Sequence, residues 1–85
     1  MPFFLPAIVT QENAQSLEQD GLQNIASLGA VDCTALKEFD STVLAVLLAW
    51  HKRLQMHGQS LRIEHAPAKL KVLASVYGVS TLLGL

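Results

Sequence analysis

The stretch Phe39-Asp40-Ser41-Thr42-Val43-Leu44-Ala45-Val46-Leu47-Leu48-Ala49-Trp50 decides the fold of this chain. It joins three small polar side chains to a segment whose apolar residues repeat at helical spacing. The pattern predicts a helix from about Thr42 to Met56, with Gly58 as its stop signal. Ser41 or Asp40 is expected to cap this helix by accepting hydrogen bonds from its first free amides. The residues of its core-facing stripe are Val43, Val46, Leu47, Trp50 and Leu54.

Strand and helix patterns alternate on both sides of this helix. Residues 3–9 predict a short strand interrupted at Pro6, and Thr10 is expected to cap a following helix that runs through Leu17 toward Ile25. Residues 28–33 predict a buried strand, 34–39 a turn or a single helical turn, and 60–64 an alternating strand. Pro67 opens a last helix that Gly78 ends. The core stripe expected for that helix is Leu70, Leu73, Ala74 and Tyr77.

This order of elements predicts an α/β fold in a single domain spanning residues 1–85. We expect a small, largely parallel or mixed sheet of three to four strands packed with three to four helices. A first strand this short leaves a sheet edge exposed, which would favour a homodimer.

Composition narrows the function classes. The chain has 85 residues, 51% of them apolar and 15% charged, with a formal net charge of −1. These values argue against disorder, and the basic residues form no patch suited to nucleic acid. The apolar run from Val43 to Trp50 is far shorter than the roughly 20 residues of a membrane span. Residues 1–6 lack the basic start of a signal peptide, so a cytoplasmic protein is expected.

The residues capable of chemistry do not form a catalytic or metal-binding pattern. Cys33 is the only cysteine, which excludes an intramolecular disulfide, and its apolar neighbours predict a buried, inert thiol. His51, His57 and His65 lack the spacing of a zinc site and are expected to face solvent. Asp32 could approach Asp40 at the carboxyl ends of strands, but two carboxylates without a pocket do not make an enzyme. We expect no catalytic residue, metal or cofactor.

The polar junction before the long helix allows two interpretations. In the first, its side chains only cap the helix. In the second, Ser41 or Thr42 also accepts a phosphoryl group, whose negative charge would meet the free helix amides but be opposed by Asp40. A similar choice applies to the outer side of the helix, where other elements cover the apolar positions or a partner protein packs on them. Those positions are Leu44, Ala45, Leu48 and Ala49.

Residues 31–83 resemble a STAS domain, the fold named for sulfate transporters and anti-sigma factor antagonists. The resemblance rests on the order and spacing of four motifs. They are Val31-Asp32, Phe39-Asp40-Ser41-Thr42, Gly58 before Leu61-Arg62-Ile63, and Pro67-x-x-Leu70-x-x-Leu73-x-x-x-Tyr77-Gly78-Val79. Within the family, the short length and the Tyr77-Gly78-Val79 ending are most similar to the small STAS subunit of Mla-type phospholipid-transport ABC complexes.

That resemblance implies a non-catalytic subunit without a cofactor. It would bind the cytoplasmic ATPase of an ABC transporter, and so be associated with a complex at the inner membrane of a bacterium. The ATPase contact would include Asp40, Ser41 and Thr42, with Leu44, Ala45 and Leu48 as neighbours.

The alternative that the resemblance implies is an anti-sigma factor antagonist that binds a kinase-type anti-sigma factor. Its phosphoacceptor would fall on Thr42, with Ser41 alongside. Here Val43 stands where the family usually has glycine, and a β-branched residue crowds an approaching kinase. This departure favours docking over phosphorylation.

Overall fold

A computed structural model describes residues 2–24 and 29–85 of the chain. Within these residues, helices and short strands alternate along the chain. The strands are β1 (Phe3–Phe4), β2 (Ile8–Val9), β3 (Ala30–Asp32), β4 (Glu38–Phe39) and β5 (Arg62–Glu64), and the helices are α1 (Ala14–Gln23), α2 (Thr42–Met56), α3 (Ala68–Val76) and α4 (Ser80–Leu83). The expected α/β class is confirmed.

Every strand pair in the described part of the chain is parallel. The larger sheet has the order β1-β3-β5, with Val31 opposite both Phe3 and Ile63. The smaller sheet pairs β2 with β4, and Ile8 lies opposite Glu38. Pro6, which has no amide hydrogen to donate, lies between β1 and β2. In a parallel sheet the carboxyl ends of neighbouring strands lie at the same edge, where Asp32 of β3 lies opposite Glu64 of β5.

The core is built around α2. Its range agrees with the predicted one, and its expected core-facing residues are all buried. Gly58 follows the helix with φ +71°, the left-handed conformation that terminates helices at glycine. The charged residues of α2, Lys52 and Arg53, are exposed and lie away from this core stripe.

Trp50 is the largest fully buried side chain. Its Nε1 donates a 3.0 Å hydrogen bond to the backbone carbonyl oxygen of Glu18 in α1. Phe3 meets the indole edge-on, with ring centroids 5.2 Å apart. Gly21 lies against the same ring, so that a Cβ atom there would be 2.4 Å from Trp50 Cε2. The indole therefore joins β1, α1 and α2.

The structure corrects the predicted start of the first helix. Residues 10–13 form a turn, and α1 begins after Asn13 rather than after Thr10. The Asn13 side chain closes this turn, because its Oδ1 accepts from the Thr10 amide at 2.9 Å and its Nδ2 donates to the Ile8 carbonyl at 2.7 Å. The predicted contribution of Ile25 to this helix, and that of Leu28 to the next strand, lie outside the described residues.

Four further expectations were wrong. Residues 38–39 form strand β4, where a turn or a helical turn was predicted, because β4 pairs with β2 across the chain. No helix was predicted after Gly78, but Ser80–Leu83 form α4, and its Leu83 belongs to the core. Tyr77, expected in the core stripe of α3, is 58% exposed, since it follows the last residue of that helix. His51 is half-buried rather than solvent-facing.

Candidate docking surface at the start of helix α2

The carboxylate of Asp40 organises the junction between β4 and α2. Its Oδ1 accepts a 2.9 Å hydrogen bond from the Thr42 amide and another from the Thr42 hydroxyl. Its Oδ2 accepts from the Gln11 amide at 3.2 Å. These donors stabilise the ionised form, so the Thr42 hydroxyl and amide, followed by the Gln11 amide, hold the pKa of Asp40 below its usual value despite some desolvation.

The backbone of Asp40 reinforces the same junction. Its amide donates to the Val9 carbonyl at 3.2 Å, and its carbonyl accepts from the Val43 amide at 3.1 Å. The end of β2, the turn after it and the start of α2 are therefore all bonded to one residue. A partner that touched this residue would meet a surface already fixed in shape.

The structure decides between the two expected capping residues. Ser41 occupies the position before the helix in an α conformation, with φ −63° and ψ −14°, and its side chain makes no capping hydrogen bond. Asp40 takes that role through the Thr42 amide. The Ser41 side chain is exposed and the Thr42 side chain is half-buried. The two candidate phosphoacceptors thus differ, since the Thr42 hydroxyl is engaged by Asp40.

Fewer apolar residues are accessible on the outer face of α2 than the sequence predicted. Ser41 and Ala45 are exposed and Leu48 is half-buried, and their spacing of four and three residues places all three on one helix face. We call Ser41, Ala45 and Leu48 the α2 stripe.

Leu44 is not part of this surface. It is only 4% exposed and belongs to the core cluster, so its predicted role as a partner contact is wrong. Helix α4, which was not predicted, packs against α2 and is one of the elements around this core. The sequence left open whether other elements of the fold or a partner protein cover the outer apolar positions of α2. For Leu44, other elements of the fold cover the side chain.

An apolar cleft of about 210 Å³ lies beside the junction, between β4 and α3. Phe39 and Asp40 form one wall, and α3 forms the other with residues spaced by three, four and seven positions. Of the residues on this wall, only Leu73 was predicted to belong to a helical stripe, the one that faces the core. The repeat of apolar residues beside that core stripe was the signal that could have revealed the cleft. The α3 residues that line it are Lys69, Val72, Leu73 and Val76.

Asp32, at the end of β3, is arranged like Asp40. Its Oδ1 accepts from the Thr34 hydroxyl and from the Thr34 amide at 2.8 Å, which holds the pKa of Asp32 below its usual value. The two aspartates lie at the carboxyl ends of strands in different sheets, and each carboxylate is bonded to the threonine two residues on. Each carboxylate therefore stabilises the local turn that follows its strand.

Other reactive groups are buried or scattered. Cys33 is 1% exposed, as predicted, and burial together with the nearby Asp32 charge raises the pKa of its thiol to about 11. Within residues 2–24 and 29–85, no group of three or more His, Cys, Asp or Glu side chains is placed to hold a metal ion. None of the helices in these ranges combines the length and the apolar character that crossing a membrane requires.

A family model described as "Mlab, STAS domain" matches residues 5–84. The chain belongs to the STAS-domain family. STAS domains include anti-sigma factor antagonists and domains of transporters, and they are generally non-catalytic. A comparison with curated proteins finds no match to the chain. The parallel strands and packed helices described above agree with a STAS domain, and the family match covers the whole junction between β4 and α2.

Proposed function

We infer that this STAS domain is a non-catalytic subunit of a bacterial ABC transporter that moves phospholipids between membranes. It would act in the cytoplasm by binding the ATPase of that transporter at the inner membrane. The description of the matching family model, which pairs the STAS domain with the name Mlab, supports this assignment over other STAS roles. The docking surface would consist of Asp40, Thr42 and the α2 stripe.

The observation that carries the proposal is the engagement of the Thr42 hydroxyl by Asp40. A phosphoryl group on Thr42 would displace this hydrogen bond and bring two negative charges together. The same bond holds the start of α2 in one conformation, and a preformed surface binds a folded partner at a lower entropic cost. The geometry thus favours constitutive docking over phosphorylation at Thr42.

Isothermal titration calorimetry with the purified ATPase of the same transporter tests this proposal. Thr42→Glu places a charge beside the Asp40 carboxylate and is expected to weaken binding at least tenfold. Thr42→Ala removes one hydroxyl and should weaken it much less. Gln19→Glu, which adds a carboxylate to an exposed position of α1, serves as the matched control. Equal binding by wild type and Thr42→Glu would remove the junction from the interface.

The second candidate function is an anti-sigma factor antagonist, and the exposed Ser41 favours it. Its side chain makes no capping bond and is open to an approaching kinase, unlike that of Thr42. Incubation with a kinase-type anti-sigma factor and ATP would then label Ser41, and Ser41→Ala would abolish the label. If the wild type is labelled and does not bind the ATPase, the anti-sigma factor antagonist becomes the preferred function and the transporter subunit the alternative.

A further inference from the structure

We propose that the cleft between β4 and α3 receives one apolar side chain from an acidic amphipathic helix of the ATPase. This inference rests on the proposed function and adds a second contact region to the α2 stripe. The cleft and the junction share Asp40, which lines the first and organises the second. One partner can therefore cover both without leaving a gap between them.

The walls of the cleft are apolar and remain accessible. Val72 is 62% exposed and Val76 is 76% exposed, while Phe39 and Leu73 are half-buried behind them. Val72 and Val76 are one helical turn apart, so they form a continuous edge along α3. Covering these side chains would remove apolar surface from water, which favours binding.

The size of the cleft points to a side chain as its occupant. Its volume is about 210 Å³, and a cavity of about 150 Å³ already accommodates benzene. Sites for cofactors and other small molecules usually measure about 300–1,000 Å³. One side chain of leucine or phenylalanine size therefore fits, whereas a typical cofactor does not.

The charges around α3 indicate an acidic partner. Lys69 and Lys71 are exposed on this helix, and no Asp or Glu follows Glu64 in the sequence. On the opposite wall, the Asp40 carboxylate already accepts three hydrogen bonds and would repel another carboxylate. The acidic side chains of the partner helix are thus expected next to Lys69, with its apolar side chain between Lys69 and Asp40.

A lipid surface fits these observations less well. A few lysines bind an anionic membrane only weakly, and stable anchoring requires a larger polybasic patch or inserted chains. Here Lys69 lines a concave cleft and Lys71 lies on the same helix, while a bilayer presents no protruding side chain to fill the cleft. A folded partner can supply both the apolar side chain and the adjacent carboxylates.

Calorimetry of the full chain with the purified ATPase tests the inference with two pairs of variants. Val76→Ser in the cleft is compared with Met56→Ser on α2, because Met56 is 75% exposed and lies at the α1 side of that helix. Lys69→Gln is compared with Arg53→Gln, also at the α1 side. We expect Val76→Ser to raise Kd about tenfold, as for the loss of an interface anchor. Lys69→Gln should raise Kd about threefold at low salt, with the difference vanishing at high salt.

The outcomes separate this inference from the proposed function. If Thr42→Glu abolishes ATPase binding but Val76→Ser and Lys69→Gln bind like wild type, the cleft is excluded and the α2 stripe remains. If wild type does not bind the ATPase, both proposals fail. If Met56→Ser loses as much ATPase affinity as Val76→Ser, the loss is a general effect of removing exposed apolar residues, and the proposed role of the cleft is wrong. So would tight binding of wild type to phosphatidylglycerol vesicles that Val76→Ser abolishes while its ATPase binding is unchanged.

Discussion

The backbone of Gly21 lies directly against the indole ring of Trp50. A Cβ atom at Gly21 would be 2.4 Å from two ring carbons, closer than real Cβ atoms come to any neighbour. The ring cannot easily move away, because Phe3 packs on it and its Nε1 is bonded to the Glu18 carbonyl. The close approach of α1 to α2 therefore requires glycine at this position.

Gly21→Ala is expected to destabilise the fold by about 1–3 kcal/mol, measured as the free energy of unfolding in urea. Helix propensity alone predicts the opposite, a gain of about 1 kcal/mol, because alanine is the better helix former. Gly29→Ala is the control, since a Cβ atom there would meet nothing within 4 Å. A more stable Gly21→Ala variant would show that the indole has room to shift.

Cys33 should react with thiol reagents only after unfolding. Burial keeps the thiol from solvent and raises its pKa to about 11, so the reactive thiolate is scarce at neutral pH. Alkylation by iodoacetamide at pH 8 is expected to be slow in buffer and fast in urea above the unfolding midpoint. Rapid labelling of the native protein would contradict the buried position of this side chain.

Acidification should destabilise the protein through Asp32 and Asp40. Both carboxyls have a folded-state pKa below the ordinary value of 3.8. Below about pH 4 the unfolded chain therefore binds more protons than the folded chain, and stability falls until the folded-state pKa values are passed. The urea midpoint should drop less steeply between pH 5 and pH 2.5 in the double variant Asp32→Asn/Asp40→Asn. Ser41→Ala, which removes no bond to either carboxylate, should keep the wild-type slope.

Substitutions at Leu44 and Ala45, which are neighbours in α2, should have different effects. The first should lower the stability of the fold, and the second should weaken ATPase binding. Leu44→Ala would leave a cavity in the core and cost about 2–5 kcal/mol in the free energy of unfolding. Ala45→Glu changes an exposed position and should alter stability by less than about 0.5 kcal/mol, yet block ATPase docking at the α2 stripe. Urea titration and calorimetry on both variants check this. Normal ATPase affinity with Ala45→Glu would remove the stripe from the interface.

The sequence predicted correctly those features that depend only on residues close together in the chain. The range of α2 and the buried stripe through Trp50 follow from helical spacing, which requires no knowledge of the tertiary structure. The left-handed conformation at Gly58 likewise follows from the residue type. The identity of Asp40 as a capping residue was within reach, because aspartate before a helix start commonly bonds to the first amides.

The elements that depend on distant partners were missed. Residues 38–39 form a strand because they pair with β2. A two-residue segment is too short for its sequence to indicate which strand it pairs with. The burial of Leu44 likewise depends on tertiary packing, which helical spacing alone does not determine. The cleft was missed for the same reason, since it forms only where Phe39 of β4 meets the second apolar face of α3.

The parallel pairing also bears on how the chain reaches its native state. Paired residues such as Phe3 and Val31, Ile8 and Glu38, or Val31 and Ile63 are about thirty positions apart, with a helix between each pair. The described part of the chain contains no β-hairpin that could form early and guide the pairing of the other strands. Each parallel pair therefore forms only after a long loop has closed. The search is shortened if α1 and α2 dock through Trp50 beforehand, because this brings β1 and β3 near their final register. The indole would then belong to the folding nucleus, and slower refolding with little change in the unfolding rate would be its kinetic signature on truncation.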